Sequence, residues 1–170
     1  MFSKNNVDYG SYALLKAIEN EDIEGNVLDF GCGYGAIGVI LQNKFTNSVV
    51  ISSDINSRAV ELANINYQKN GMHNKAIVSD GFTNIKETFD WIMLNPPIRT
   101  GKANIYHMFE EAYSHLNDAG KLVIVIQKKQ GAESAIKKLE TLFSKVEIIE
   151  KNKGYWIIKS VKQKIDGFNN

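Results

Sequence analysis

The chain has 170 residues, of which 44% are hydrophobic and 23% charged, which is enough to bury the core of one globular domain. The formal net charge of +1 excludes the strong global field that draws nucleic acid to a protein, so any basic surface must be local. The single cysteine, Cys32, excludes an internal disulfide and fits a reducing compartment.

Apolar residues recur along the chain in a pattern that predicts alternating strands and helices. Helical spacing predicts helices, and short apolar runs between turn residues predict strands. Asn56 is a preferred N-cap for the helix that follows it, and Asn70-Gly71 ends that helix. In chain order the elements are a helix at 9–20, a strand at 26–30, a helix at 35–43, a strand at 48–53, a helix after Asn56, strands at 76–79 and 89–94, a helix at 104–117, a strand at 122–126 and a helix around 135–142.

The last part of the chain has a different pattern. Residues 146–149 and 155–161 are predicted strands joined by the short connection 151–154, which requires a hairpin and hence an antiparallel neighbour. The nearly all-apolar strand at 122–126 is typical of a sheet that helices cover on both faces. We therefore predict an α/β fold with a Rossmann-like, seven-stranded, mostly parallel sheet, an antiparallel C-terminal hairpin strand and helices on both faces.

A glycine-rich loop follows the first predicted strand. Gly31, Gly33 and Gly35 let the backbone turn sharply and bring the next helix close to a nucleotide-like ligand. The same loop satisfies the dinucleotide fingerprint, and Asp54 stands about 20 residues later, where that fingerprint has a ribose-binding acid. Taken alone, the loop leaves a nicotinamide dinucleotide and S-adenosylmethionine as alternatives.

The motif Asn95-Pro96-Pro97-Ile98 separates these alternatives. It follows the strand at 89–94. A diproline after an asparagine at a strand end has no function in dehydrogenases, so the motif favours S-adenosylmethionine over a nicotinamide dinucleotide. Together with Phe2-Ser3-Lys4 and Asp8-Tyr9-Gly10-Ser11, it resembles the class I S-adenosylmethionine-dependent methyltransferases. More narrowly, it is similar to the methyltransferase small domain group, which includes guanine-N2 methyltransferases of 16S ribosomal RNA.

The resemblance covers essentially the whole chain. It implies a single methyltransferase domain over residues 1–170, in which residues 1–20 form an N-terminal segment and a helix over the cofactor site. It also implies S-adenosyl-L-methionine as the cofactor and ribosomal RNA or the small ribosomal subunit as the partner. Family members usually carry more residues before the Phe-Ser-Lys segment, so we expect either a truncated chain or a minimal version of the domain.

Candidate cofactor contacts lie at the predicted strand ends. The loop is expected to wrap the methionine end of the cofactor, and the resemblance places Asp29 near its amino group; the alternative is an Asp that caps the next turn. Asp54 is a candidate for the ribose hydroxyls and Asp80 for the adenine amino group, although either is alternatively an N-cap. The predicted set is Asp29, Gly31, Cys32, Gly33, Gly35, Asp54, Asp80, Gly81 and Asn95, with Ile55 and Phe82 as apolar covers of the adenine.

Asn95, Pro96 and Pro97 are the predicted catalytic residues. An exocyclic amino nitrogen is a poor nucleophile because its lone pair is delocalised into the ring, and acceptors for its protons draw it toward tetrahedral geometry. The Asn95 side-chain oxygen and the Pro96 carbonyl are suitable acceptors. The nitrogen then attacks the sulfonium methyl in line, helped by positioning and electrostatics, and no metal is expected. The alternative is a strand-ending turn without a catalytic role.

Predicted substrate contacts follow the same motif. Ile98 offers an apolar cover without a π face, which argues against adenine. Arg99, Lys102 and Lys4 are candidates to hold phosphates beside an unpaired or flipped nucleotide, in a patch that Lys128 and Lys129 would widen.

The expected activity is N-methylation of guanine N2 in small-subunit ribosomal RNA. The alternatives are a protein glutamine-amide N-methyltransferase and a non-catalytic S-adenosylmethionine-binding module. Cys32 has no histidine in its motif and is predicted to be a packed side chain rather than a nucleophile. Without a long apolar run or the apolar core of a signal peptide at residues 1–4, we expect a soluble, cytoplasmic protein with no membrane partner.

Overall fold

The computed structural model describes residues 8–164, in which seven strands form one sheet and five α-helices pack against it. None of the helices in this range is long and apolar enough to cross a membrane. The strands are β1 Gly25–Phe30, β2 Ser48–Asp54, β3 Lys75–Val78, β4 Phe89–Leu94, β5 Leu116–Gln127, β6 Lys145–Asn152 and β7 Tyr155–Val161. The helices are α1 Tyr9–Ile18, α2 Ala36–Lys44, α3 Ser57–Lys69, α4 Lys102–Ser114 and α5 Ala132–Glu140.

The sheet has the order β3-β2-β1-β4-β5-β7-β6. Strands β1 to β5 pair in parallel, and β7 lies antiparallel between β5 and β6. This confirms the predicted α/β fold and its C-terminal hairpin. The hairpin is tighter than predicted, because only Lys153 and Gly154 separate β6 from β7, with φ values of 51° and 85°. Positive φ at both turn residues matches the twist of the flanking strands.

Helices cover both faces of the sheet, as predicted. Alternate residues of the central strands point to opposite faces, so Leu28 and Ile92 belong to one core and Val27 and Trp91 to the other. Helices α4 and α5 close the first core, and α1 and α2 close the second. Helix α3 packs against the edge at β3 through a smaller apolar cluster.

The ends of α1 and α3 follow from their capping residues. Asp8 is the N-cap of α1, and its carboxylate accepts a hydrogen bond from the Ser11 backbone N–H at 2.7 Å. Asn56 caps α3 as predicted, accepting from the backbone N–H groups of Arg58 and Ala59. Each cap satisfies N–H groups that have no partner within their own helix.

One local prediction differs from the structure. The helix predicted to reach residue 117 ends at Ser114, and Leu116 instead starts β5, where it pairs with Phe89. Leu116 is buried in either assignment, so apolar periodicity did not distinguish the two elements. The strands predicted at 76–79 and 89–94 follow each other without a helix between them, and in the structure a turn at residues 81–84 lies in this connection.

The strand order changes direction between β1 and β4, which makes this pair the topological switch point of the sheet. β2 and β3 lie to one side of β1, whereas β4 and β5 lie to the other. Phe30 pairs with Leu94 in the parallel register of β1 and β4, so Gly31 and Asn95 follow side by side at the carboxyl edge. Open α/β sheets bind ligands at such a switch point.

Candidate active site

The glycine loop after β1 has an open concave side. Gly31, Gly33 and Gly35 all have positive φ, at 78°, 55° and 91°. A Cβ added at Gly31 or Gly33 would meet no atom within 4 Å, whereas one at Gly35 would contact Ala63 and Tyr67 in α3. Gly35 therefore allows α2 and α3 to pack closely, and the other two glycines leave room for a ligand.

Asp29 is the buried acid of this site. The residue is 4% exposed and the Gly38 backbone N–H donates to its carboxylate. Its Oδ2 atom has no hydrogen-bond partner among residues 8–164. Burial, and to a lesser extent the nearby Asp54 carboxylate, raise the pKa of Asp29 to about 7. A buried carboxylate with one unpaired oxygen requires a cationic or hydrogen-donating partner, and the amino group of S-adenosylmethionine fits that requirement.

Asp54 links the end of β2 to the glycine loop. Its Oδ2 atom accepts a hydrogen bond from the Gly33 backbone N–H at 2.9 Å, and its Oδ1 atom accepts one from the Asn56 backbone N–H at 2.9 Å. Asn56, not Asp54, is the N-cap of α3. The next residue, Ile55, is 66% exposed and thus available to cover an apolar ring.

Asp80, Gly81 and Phe82 form the turn after β3. Asp80 is exposed and precedes a turn rather than a helix, so it is not a helix N-cap. Phe82 is 5% exposed, and its ring stacks on Phe30 and His115 with centroid separations of 4.9 and 4.5 Å. Its surface is thus largely occupied by the core, which makes Ile55 the more accessible of the two predicted apolar covers.

Asn95 lies at the end of β4 with its amide oriented by α1. The amide nitrogen Nδ2 lies 3.4 Å from both Asp8 Oδ1 and Ser11 Oγ. No described residue donates to Asn95 Oδ1 or to the carbonyl of the buried Pro96. The Pro97 carbonyl differs, because it accepts from both the backbone N–H and the hydroxyl of Thr100.

An open cavity of about 200 Å³ lies beside Asn95, and we call it the acceptor cavity. Its lining includes Asp8, Asn95, Ile98, Gln127, Gln130 and Tyr155. Ile98 also lines a neighbouring cavity of about 70 Å³ that reaches Lys102. Arg99 and Lys102 are exposed next to these cavities, whereas Lys4 lies outside the described residues.

Three residues at this site were not predicted to take part in it: Asp8, Gly10 and Ser11. A Cβ at Gly10 would lie 3.2 Å from Asn95 Nδ2 and 3.2 Å from the Tyr155 ring, so the missing side chain makes room for the asparagine. The signal was the Asp8-Tyr9-Gly10-Ser11 motif, but its role depends on a contact across 87 positions of the chain. Gly38 was missed for the same reason, since only the packing of α2 on β1 brings its N–H to Asp29.

Cys32 is buried, as predicted for a packed side chain. Burial, followed by the carboxylates of Asp29 and Asp54, raises the pKa of its thiol well above the usual value. A thiol that resists ionisation is a weak nucleophile, which is consistent with the prediction of a packed side chain.

Comparisons with known proteins agree with this geometry. The sequence model of the family described as methyltransferase small domain matches residues 1–159. YbxB of Bacillus subtilis, an uncharacterised protein, is 49% identical over 165 residues, covering 95% of this chain and 82% of YbxB. Ribosomal RNA small subunit methyltransferase C of Haemophilus ducreyi is 40% identical over 129 residues, covering 73% of this chain and 39% of that enzyme.

A solved structure shares the fold. The 16S rRNA N2-guanine methyltransferase RsmC of T. thermophilus, in complex with AdoMet and guanosine, matches with a TM-score of 0.82 at 24% identity, over 95% of this chain and 45% of that chain. This chain thus spans less than half the length of these two ribosomal enzymes. The fold is that of the class I methyltransferases, which use S-adenosylmethionine as cofactor. Because the family model matches residues 1–159, the chain belongs to the methyltransferase small domain family.

Proposed function

We propose that this chain is an N-methyltransferase that modifies the exocyclic N2 amino group of a guanine in small-subunit ribosomal RNA. The observation that carries the proposal is the pair of free acceptors at the end of β4. Asp8 and Ser11 engage the amide nitrogen of Asn95, and within residues 8–164 no group donates to the Asn95 Oδ1 atom or to the Pro96 carbonyl. We therefore assign both acceptors to the substrate.

Two acceptors suit an amino group that carries two protons. Hydrogen bonds from both protons pull the nitrogen away from the plane of its ring and free its lone pair for reaction. Because Asp8 and Ser11 orient the amide in advance, little reorganisation is needed when the substrate arrives. Pro96 aims its carbonyl rigidly, since its ring holds φ near one value.

The loop after β1 and the neighbouring strand ends are the proposed cofactor site. S-adenosylmethionine supplies an electrophilic methyl group on a positively charged sulfur. Asp29 would accept a hydrogen bond from its amino group, Asp54 would orient its ribose, and Ile55 would cover its adenine. The remaining proposed contacts are Gly31, Cys32, Gly33, Gly35, Asp80, Gly81, Phe82 and Asn95.

The acceptor cavity limits what reaches Asn95. Its volume of about 200 Å³ is below the roughly 300–1,000 Å³ of typical ligand sites, so it suits a single planar group rather than a whole nucleotide. A guanine would therefore enter from an unpaired or flipped state. Ile98 provides an apolar wall, and Arg99 and Lys102 are proposed to contact the adjoining phosphates.

The relatives support a ribosomal guanine over other amino groups. The Haemophilus ducreyi relative is named as a small-subunit ribosomal RNA methyltransferase, and the T. thermophilus enzyme was solved with guanosine. A glutamine side-chain amide presents a similar planar nitrogen, so it remains the alternative substrate that the experiment must separate.

The test is transfer of labelled methyl from S-adenosylmethionine to small ribosomal subunits and to naked 16S ribosomal RNA, both from cells that lack the gene. Nucleoside and amino-acid analysis then locates the label. We expect label in N2-methylguanosine, and comparison of the two substrates identifies the recognised form. The Asn95→Ala variant is the control for activity from contaminating enzymes.

Other outcomes would contradict the proposal. Label in methylglutamine would replace ribosomal RNA with a protein substrate. Cofactor binding without transfer to either substrate would indicate a non-catalytic binding module or a different acceptor.

A further inference from the structure

We propose that the tip of the β6–β7 hairpin and the adjacent residues after β5 form a phosphate-binding subsite for the RNA strand. The inference rests on the proposed function. It extends the phosphate patch, to which Lys128 and Lys129 were already predicted to contribute, to the hairpin tip and Lys153. An open cavity of about 430 Å³ lies here, lined by Gln127, Lys128, Lys129, Glu133, Lys153 and Gly154. We call it the hairpin-tip pocket.

The hairpin-tip pocket is basic in a chain that is nearly neutral overall. Three lysines and one glutamate give its lining a net charge of +2, against +1 for the entire chain. Lys128, Lys129 and Lys153 are exposed, and none forms an ion pair with a carboxylate among residues 8–164. Clustered lysines that form no ion pairs of their own are suited to bind phosphate groups.

The backbone that carries these lysines is tied down. The Lys128 backbone N–H donates to the Gly154 carbonyl at 2.9 Å, which joins the 3₁₀ turn Lys128–Gln130 to the hairpin tip. The Lys153 Nζ atom lies 5.5 Å from the centre of the Tyr9 ring, and the Tyr9 hydroxyl donates to Asn152 at 2.8 Å. The lysines thus start from held backbone positions, which reduces the ordering that binding would require.

The hairpin-tip pocket adjoins the acceptor cavity. Gln127 lines both, and it donates to the Tyr155 hydroxyl at 3.0 Å across the β5–β7 pair. The acceptor cavity also shares Ile98, Ile126 and Gln130 with the cavity that reaches Lys102. Lysines therefore line both of the cavities that adjoin the acceptor cavity, which suits an RNA strand whose phosphates continue past one extruded base.

The experiment measures binding of a short, fluorescein-labelled, single-stranded RNA of mixed sequence to the intact chain over a range of salt concentrations. The test variant is Lys128→Gln with Lys129→Gln. If each lysine neutralises one phosphate, the slope of log affinity against log salt falls by about 1.4, and the affinity at about 0.1 M salt falls about 25-fold. Lys153→Asn, which suits the left-handed backbone of the turn, is expected to lose about 5-fold.

The matched control replaces Lys69 and Lys145, which are also exposed, with glutamine. Lys69 lies at the end of α3, and Lys145 begins β6, about 23 Å along the strand from the hairpin tip. This double variant has the same total charge as the test variant and should bind RNA nearly as wild type does. The Glu133→Gln variant should bind more tightly, by up to about 5-fold, because it removes the acid of the pocket.

The outcomes separate this inference from the proposed function. If wild type binds RNA but the test and control variants weaken binding equally, the subsite is wrong and the proposed function stands. If wild type binds no RNA and methylates a protein instead, both are wrong. Unchanged binding in Glu133→Gln, with a loss in the lysine variants, would still support the lysines as the phosphate contacts.

Discussion

The ends of β1 and β4 are neighbours in the sheet, but the side chains that they present for ligand binding differ in burial and charge. At the end of β1, Asp29 is a buried carboxyl with an unpaired oxygen and a pKa raised to about 7. At the end of β4, Asn95 is an exposed neutral amide whose nitrogen is engaged by α1. The ionised Asp29 carboxylate is destabilised by desolvation until a cation binds to it. The Asn95 amide, by contrast, is already oriented by hydrogen bonds.

The difference indicates two kinds of preorganisation. An ionised carboxylate in a dry site gains most when a positively charged group enters, so Asp29 suits selective binding of a cation. A neutral amide carries little desolvation cost, and its value lies in the direction of its oxygen. Changes at Asp29 should therefore alter stability and cofactor affinity, and changes around Asn95 should alter turnover.

The largest expected effect is on the pH dependence of stability without cofactor. The pKa of Asp29 rises from 3.8, the value of a solvent-exposed aspartate as in the unfolded chain, to about 7 in the folded chain. The native state therefore holds a proton that the unfolded state releases between about pH 4 and 7, and stability falls as pH rises through this window. Each pKa unit is worth about 1.4 kcal/mol, so the loss reaches up to about 4 kcal/mol.

Urea unfolding of wild type and Asp29→Asn at pH 5 and pH 8 measures this loss. The difference between the two proteins cancels the other titrating groups. Asp29→Asn should be the more stable protein at pH 8, by more than at pH 5. A difference that does not change with pH would mean that Asp29 titrates near its ordinary pKa.

The second effect concerns turnover. Asn95→Ala removes one of the two proposed acceptors and should lower kcat by about 10²- to 10³-fold, which corresponds to about 3–4 kcal/mol. Cofactor affinity should change much less. The matched control is Asn104→Ala. Asn104 is an exposed asparagine in α4 whose side chain donates a hydrogen bond to the Thr100 hydroxyl. Steady-state kinetics with the identified substrate checks this, and a kcat within threefold of wild type would exclude Asn95 from catalysis.

The third effect concerns cofactor affinity. Asp29→Asn should weaken S-adenosylmethionine binding by about 10- to 100-fold, because a charged hydrogen bond contributes about 1.5–3 kcal/mol. In wild type the affinity should also rise with pH from about 5.5 to 7, since binding requires the ionised carboxyl, whose pKa is about 7 in the free protein. Calorimetric titration at several pH values measures both. A similar rise in Asp29→Asn would assign the titration to another group.

The smallest effect separates orientation from stability at Asn95. In Gly10→Ala the new methyl group would lie 3.2 Å from Asn95 Nδ2 and should displace the amide slightly. We expect kcat to fall several-fold. The melting temperature should change little, because the preference of about 0.5–1 kcal/mol for alanine over glycine in a helix offsets the close contact of the methyl group with the Tyr155 ring. A parallel loss of melting temperature and kcat would instead indicate a general packing defect.

The elements that were predicted correctly depend on short-range patterns. The strand, glycine loop and helix from Gly25 to Lys44 need only apolar runs and residues that tolerate positive φ. Asn56 caps α3 through its own local hydrogen bonds. The register of β1 and β4 could not be read in this way, but parallel strands place their carboxyl ends at one edge, so the proximity of Gly31 and Asn95 was expected.

The features that could not be predicted lie where residues distant in the chain contact one segment. Leu116 has apolar neighbours that suit a helix, yet pairing with Phe89 draws it into β5. Phe82 remains a proposed contact of the cofactor, but the stacking of its ring on Phe30 and His115 could not be predicted from local patterns. In both cases burial was foreseeable and the partner was not.

The amino-acid sequence was sufficient for the fold class, the family resemblance and the strand-end positions of Asp29, Asp54 and Asn95, because these depend on local patterns and motifs. Only the folded chain decides that Asp29 is dry and lacks a partner for one oxygen, and that α1 turns the Asn95 amide toward Asp8. The physical reason is that desolvation and hydrogen-bond direction are set by atoms from segments far apart in the chain. The pairing of Asp8 with Asn95 spans 87 positions and exists only after the sheet and α1 have packed.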